Sequence, residues 1–306
     1  MVNLANYLVE FDTEDPLEEF AKDRSWKPWM EDVSFYCLND MDAVKAYLEK
    51  GVENFSYIAV DTETTGLNVR KVQLVGFSFS YQDNECAYVP LRHTSGTNVD
   101  YNEFIKYFKS LIPRTQFIWY NAKYDTEVLH FKGIDMYASE GHFKDAMLNV
   151  CLHDSNRAEM NAGLKGASKN YLHREMISFK DVCPHAKGDS DEVDLFPSVD
   201  LTLATLYAGS DALNTRDLYE KFRYVEKSQK IIYDLETQLI DVVREMERNG
   251  VRIDVKHFKI LEKRIYSYIN RVKKEIFDLC KKPLDSFNLD SPTQVGKVFF
   301  EELNIP

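Results

Sequence analysis

Asp61 and Glu63 stand two apart in the stretch Tyr57-Ile58-Ala59-Val60-Asp61-Thr62-Glu63. Its apolar, partly β-branched opening reads as a buried strand that ends at the turn residue Gly66. Alternation along a strand sends both carboxylates out of one face. Two acids side by side at the end of a buried strand are costly unless positive charge stands between them, and a divalent cation with oxygen ligands is the usual answer. An isolated Asp-x-Glu more often marks a strand running into an acidic surface turn. Two further acids change that weighting. Asp125 follows Asn121 by four residues and Asp211 follows Tyr207 by four, so each pair shares a helical face. Four carboxylates from three elements can hold two divalent metals ~3.5–4 Å apart, a clamp suited to in-line attack of water on a phosphodiester. Tyr207, one turn from Asp211, is placed to orient that water.

The surrounding pattern supplies elements to carry these residues. "VSFYCL" (33–38) reads as a strand, followed by a short helix to Lys50 that Asn39 or Asp40 caps. After the acidic strand, "VQLVGFSFS" and "CAYVPL" read as two more strands joined by Gln82-Asp83-Asn84, an antiparallel meander with the acids at its start. A helix over 100–112 stops at Pro113, and "QFIWY" (116–120) is a strand feeding a helix capped by Asn121 and running to about Phe131. Strand then helix returns the chain to the sheet in α/β order. Helices follow near 145–153 and 161–172, then a loop-like acidic segment over 175–200 and a helix over 200–225. Asp145 is a fifth acid near these positions and reads as the cap of the helix after it.

From Gln229 the character changes. Residues 229–249 form a long amphipathic helix through Ile231, Leu235, Leu239, Val242 and Met246, stopped by Gly250. A second long helix covers about 255–281, Pro283 ends it, and another starts at Ser291 shortly before the sequence stops. The apolar stripes of these helices read as core or as a docking surface. Because the last helix has no partner, the fold is expected to continue elsewhere, the chain being a fragment, a split-gene product or a truncation.

The 306 residues are 44% hydrophobic and 13% aromatic, which predicts a sizeable core and excludes a disordered chain. There is no apolar run of membrane-spanning length and no basic-then-apolar leader, so a soluble cytoplasmic protein is expected. Five scattered cysteines exclude a disulfide framework. Cys151-x-His153 and Cys183-x-His185 lack the spacing of a zinc site and read as packing and loop residues. A net charge of −12 excludes a broad grip on duplex nucleic acid, leaving contacts that are short, local or helped by metal ions.

In this order and at these distances, Asp61-x-Glu63, Asn121-xxx-Asp125 and Tyr207-xxx-Asp211 resemble the three motifs of the DEDD 3′–5′ exonucleases. Tyr207 resembles the mark of their tyrosine subclass; the histidine subclass would carry its histidine at Leu206. The resemblance implies an α/β, ribonuclease H-like fold with a mixed central sheet flanked by helices and followed by a helical extension. It implies two divalent cations, Mg²⁺ or Mn²⁺. Asp61, Glu63 and Asp211 would hold the tighter one, with Asp61 bridging to a second that Asp125 holds through water. Thr62, Leu67 and Asn121 would meet the substrate, Leu67 packing on the terminal base and Asn121 placing the 3′-terminal nucleotide. Tyr120 stands where many relatives carry a polar residue. The implied reaction is hydrolysis from the 3′ end of single-stranded or frayed DNA, with release of nucleoside 5′-monophosphates.

"LETQLIDVVREMERNGVRID" (235–254) followed by "SPTQVGKVFFEEL" (291–303) resembles the segment that joins proofreading and polymerase domains in family A DNA polymerases. This implies an acidic, aromatic leader over 1–30, an exonuclease domain over 31–227 and the helical start of a polymerase domain over 228–306. The rest of the polymerase would be the partner, in cis or as a separate chain. A divergent, acidic version of the family fits a phage origin and thus a host cytoplasm. Ribonuclease D shares the tyrosine motif set and would act on RNA. A catalytically idle module that docks on a separate polymerase chain would keep the fold alone.

Overall fold

The computed structural model describes residues 2–9, 27–154, 163–183 and 195–305. Part of the leader, the start of the helix expected near 161, His185 and the acidic stretch 189–194 lie outside the described residues. Two compact units divide the chain, Met1–Arg248 and Asn249–Pro306.

Among the described residues the first unit is built on six strands: β1 (Ser34–Cys37), β2 (Tyr57–Thr64), β3 (Leu74–Gln82), β4 (Glu85–Pro90), β5 (Gln116–Trp119) and β6 (Phe143–Asp145). Their order in the sheet is β1-β4-β3-β2-β5-β6. The meander β2-β3-β4 is antiparallel, and Asn84 turns its second hairpin at φ 53°. β1 and β5 add in parallel to β4 and β2, and β6 adds in parallel to β5. The sheet is therefore mixed, as the alternating sequence pattern requires.

Helices cover both faces. On one side lie α1 (Met41–Asn54), α2 (Tyr101–Leu111) and α3 (Ala122–Phe131). Val44, Tyr47, Leu48, Phe104, Phe108 and Leu129 meet Ile58, Val60, Phe77, Phe79 and Trp119 there in one core. Asp40 caps α1 through Asp42 and Ala43, and Asp100 caps α2. The other face is covered by α4 (Ala146–His153) and α5 (Leu201–Phe222). In β2 the even residues Ile58 and Val60 enter the first core while Tyr57 and Ala59 enter the second. The same alternation carries Asp61 and Glu63 to the α5 side.

Two glycines mark where elements touch. A Cβ on Gly209 would sit 3.0 Å from Cys86 Sγ and Phe35, so α5 lies against the sheet between Tyr207 and Asp211. One on Gly76 would meet the Tyr88 hydroxyl at 2.1 Å, and Gly76 is the residue paired with Glu63. Both positions need glycine for close approach.

The helix α6 (Lys230–Asn249) ends at Gly250, which has φ 63°. Only part of its apolar stripe is buried within the chain. Tyr233, Thr237, Ile240 and Arg244 are buried, whereas Ile231, Leu235, Val242 and Met246 are 50–86% exposed. In the second unit α7 (Val255–Leu279) buries Phe277 alone among its residues, against Phe287, and Ser291 caps a short helix from Pro292. Among the described residues no helix is long and apolar enough to cross a membrane.

Candidate active site

Three of the acids meet. Asp61 and Glu63 from β2 and Asp211 from α5 each offer a carboxylate oxygen within 4.8 Å of the others. Glu63 and Asp211 are buried and Asp61 is half-buried. Among the described residues Asp211 Oδ1 is a buried oxygen with no hydrogen-bond donor. A buried carboxylate oxygen without a donor, beside two more carboxylates, fits a hard divalent cation better than any neutral group.

Asp125 stands at the edge of this cluster. Its Oδ1 accepts the Thr62 N–H at 3.2 Å and the Thr62 hydroxyl, so α3 is tied to the residue between the two strand acids. It is buried, and its charge acts on Asp61 more strongly than those of Asp211 and Glu63.

The electrostatics are those of crowded anions. Burial, then Asp125, Asp211 and Glu63, hold the Asp61 carboxyl well above the usual carboxylate range. Burial and Asp211 do the same to Glu63. Burial pushes Asp125 up to about 7 and Asp211 up to about 6. Lys165 opposes this at Asp61, Glu63 and Asp211. Its ammonium donates to the Ile177 carbonyl at 2.5 Å and lies 4.6 Å from the centre of the Tyr207 ring. Tyr207 is buried, and its hydroxyl is held far above its ordinary value by burial and by Asp211, Glu63 and Asp61. It stays protonated at neutral pH and can donate a hydrogen bond.

Groups whose folded pKa is raised stabilise the fold only while protonated. Their contribution is fully present below pH ~4 and is lost as pH rises through about 6–7. In chelator, the melting temperature of the wild type relative to Asp211→Asn is therefore expected to fall between pH 5 and 8. Saturating Mg²⁺ should reverse the fall at pH 8, and metal addition at pH 6–7 should release protons. A wild-type curve parallel to that of the variant from pH 5 to 8 would contradict the crowded-anion account.

The remaining candidates are spread around the cluster. Leu67 is 71% exposed on a turn pinned by Tyr124, whose hydroxyl donates to the Gly66 carbonyl at 2.7 Å. Asn121 is exposed at φ 66° and makes no side-chain capping bond. It precedes the first turn of α3 in the left-handed region, so it neither caps α3 nor shares a helical face with Asp125. Asp145 does the capping from β6: its carboxylate accepts Asn121 N–H (3.0 Å), Ala122 N–H (2.9 Å) and Met147 N–H (2.9 Å). Tyr120 is buried in the core below. Cys151 and Cys183 are buried, and His153 packs on Phe222 and bonds Tyr224, in keeping with packing roles. Lys165 is the residue that motif spacing misses, since one lysine in "AGLKGA" carries no signal of where its tip will lie.

A sequence model of the 3′–5′ exonuclease family matches residues 36–227. DNA polymerase I of Pseudomonas aeruginosa is 27% identical over 288 residues, which is 91% of this chain and 30% of that protein. DNA polymerase I of Borreliella burgdorferi is 28% identical over 84% of this chain and 27% of its own length. The chain thus spans under a third of the curated relatives it matches. Among solved structures, M. smegmatis Pol1, described as its POL domain in complex with DNA primer-template and dNTP, gives a TM-score of 0.52. It is 17% identical over 85% of this chain and 40% of that one. Escherichia coli RNase D, an exoribonuclease, gives 0.50 at 14% identity over 69% and 51%. Identities this low speak for the fold alone, a mixed sheet flanked by helices of the ribonuclease H-like exonuclease kind. With the family model covering most of β1 through α5 and DNA polymerase I sequences aligning along most of the chain, the protein belongs to the 3′–5′ exonuclease family in its DNA polymerase I-like form.

Proposed function

We propose that the chain hydrolyses single-stranded or frayed DNA from the 3′ end with two divalent cations, Mg²⁺ or Mn²⁺, as the proofreading part of a DNA polymerase. The observation that carries this reading is the Asp61–Glu63–Asp211 cluster with its donorless Asp211 oxygen. These three would hold the tighter cation; Asp125 would hold the second, with Asp61 shared. When bound, the cations would supply Lewis acidity at the scissile phosphate and a lowered pKa for the attacking water. Tyr207, a persistent donor facing the acids, would orient that water, in keeping with the tyrosine subclass. Thr62 fixes Asp125 and would meet the substrate beside the reacting phosphate. Leu67 offers an exposed apolar face for the terminal base, and Asn121 an exposed amide for the terminal nucleotide.

Residues 31–227 are read as the exonuclease domain, 1–30 as a leader and 228–306 as the helical start of a polymerase domain. The rest of that polymerase, in cis or as a separate chain, would be the partner, and the setting cytoplasmic. A phage-type chain would fit identities of 27–28% and an acidic sequence. DNA is favoured over RNA because DNA polymerase I sequences align along most of the chain.

The test is digestion of 5′-labelled single-stranded DNA, with labelled RNA of the same sequence alongside, in Mg²⁺, Mn²⁺ and chelator. A ladder that shortens from the 3′ end of DNA in either metal, and stops in chelator, is expected. Faster shortening of RNA would give the ribonuclease D reading instead. No digestion of either by folded, metal-loaded chain would leave the idle docking module.

A further inference from the structure

The helix α6 begins after residue 227, where the family match ends, yet its buried face is fastened to the helix that carries Asp125. Arg244 is the centre of the joint, with its side chain fully buried. Its Nη2 donates to the Thr126 carbonyl at 2.9 Å, its Nη1 to the Met136 carbonyl at 2.7 Å and its Nε to Glu127 Oε2 at 3.2 Å. Glu127 is gripped from its other oxygen by Arg248 Nε at 3.4 Å. Asp241, one turn before Arg244, accepts the N–H groups of Ala138 and Ser139 and lies 3.5 Å from Arg244 Nη1.

Thr126 and Glu127 directly follow Asp125 in α3. From one side Thr62 holds the Asp125 carboxylate to β2; from the other a rigid guanidinium fork holds the Thr126 carbonyl and the Glu127 side chain. A buried charge of this kind is poorly explained as a source of stability, because apolar residues of similar volume serve a core at least as well. What a planar fork with several fixed partners adds is position.

We propose that Arg244 is a positioning residue for Asp125, so that the exonuclease site is completed by a helix from beyond the exonuclease match. This rests on the reading of Asp125 as the holder of the second cation. It makes α6 part of the working site: any disturbance that shifts the helix by a fraction of a turn moves the one acid that lies outside the three-carboxylate cluster.

Mn²⁺ binding to the full chain, followed by the electron paramagnetic resonance of the free ion, tests this for wild type, Asp125→Asn, Arg244→Met and Arg244→Lys. Two classes of site are expected in the wild type, with the weaker lost in Asp125→Asn. Arg244→Met should weaken that class about tenfold while the tighter class keeps its affinity, and Arg244→Lys should fall between. In metal-free chain, amides of 123–130 should exchange faster in Arg244→Met while those of 57–64 do not change. If Asp125→Asn loses the weaker class and Arg244→Met keeps it, the positioning role is wrong and the metal reading stands. Equal weakening of both classes by Arg244→Met would show general loosening and also overturn the proposal. If Asp125→Asn itself changes nothing, the metal reading of Asp125 falls and takes the proposal with it. Should Arg244→Met fail to fold, Glu127→Gln leaves the carbonyl contacts in place; it should weaken the same class about threefold, and no shift there would equally overturn the role.

Discussion

Replacing Asp61 and Glu63 together by alanine is expected to end the 3′ shortening of a 5′-labelled DNA strand, with a loss of at least about 10³-fold. The two residues supply two of the three oxygens that converge within 4.8 Å, and Asp211 alone cannot hold a cation against water. A bound metal contributes several kcal/mol to such a transition state, and each ~1.4 kcal/mol is tenfold in rate. The isosteric pair Asp61→Asn with Glu63→Gln should lose activity equally. In chelator at pH 8, however, it should melt above the wild type, because the carboxyls it neutralises are held high by burial and by one another. Loss of activity with a gain in metal-free stability separates a metal site from a salt-bridge network, where neutralising one side would loosen the fold. Activity within tenfold of the wild type in either double variant would remove these acids from the mechanism.

Much of this site is legible in the order of residues alone, for a physical reason. Period 2 in β2 and a four-residue step in α5 state which side chains share a face, and the strand-turn-strand run from 57 to 90 gives the meander that starts at β2, whose other edge β5 then covers. Of the two candidate caps of α1, Asn39 and Asp40, the structure uses Asp40. What periodicity does not carry is contact at a distance. β6 is three residues long, too short for any alternation to show, and it pairs with β5 across helix and turn. Asn121 has the type and place of a helix cap, but the residue is left-handed and the bond comes from Asp145 instead. The stripe in α6 follows hydrophobicity, while the buried face follows the partners that α3 offers to an arginine. Lys165 brings its charge toward the acids from a segment with no pattern to mark it.

Asp145 separates these two kinds of information. By composition it is a fifth acid near the other four; by geometry it is a structural anchor whose carboxylate collects three N–H groups from two helix starts. It is 2% exposed, and burial pushes it up to about 6 although those amides favour the charged form. Asp145→Ala leaves Asn121, Ala122 and Met147 N–H groups without an acceptor in the interior. Loss of one cap typically costs about 1 kcal/mol and hydrogen bonds to a charged group somewhat more each, so about 2–4 kcal/mol is expected for the three. In a unit of this size that is a drop of roughly 5–15 °C in melting temperature. Asp145→Asn keeps one carbonyl oxygen, and Oδ1 already serves Asn121 and Met147, so about half the loss is expected. Because α3 starts at these bonds and Asp125 lies in its first turn, Asp145→Ala should also weaken metal-dependent digestion at temperatures where the variant is still folded. Under saturating metal that activity should largely return. A ligand would behave in the opposite way: Asp145→Asn would abolish digestion at every metal concentration and leave the melting temperature in chelator level with the wild type or above it. Calorimetry of the metal-free chain beside a metal titration of digestion distinguishes the two, and the three amide bonds predict the first.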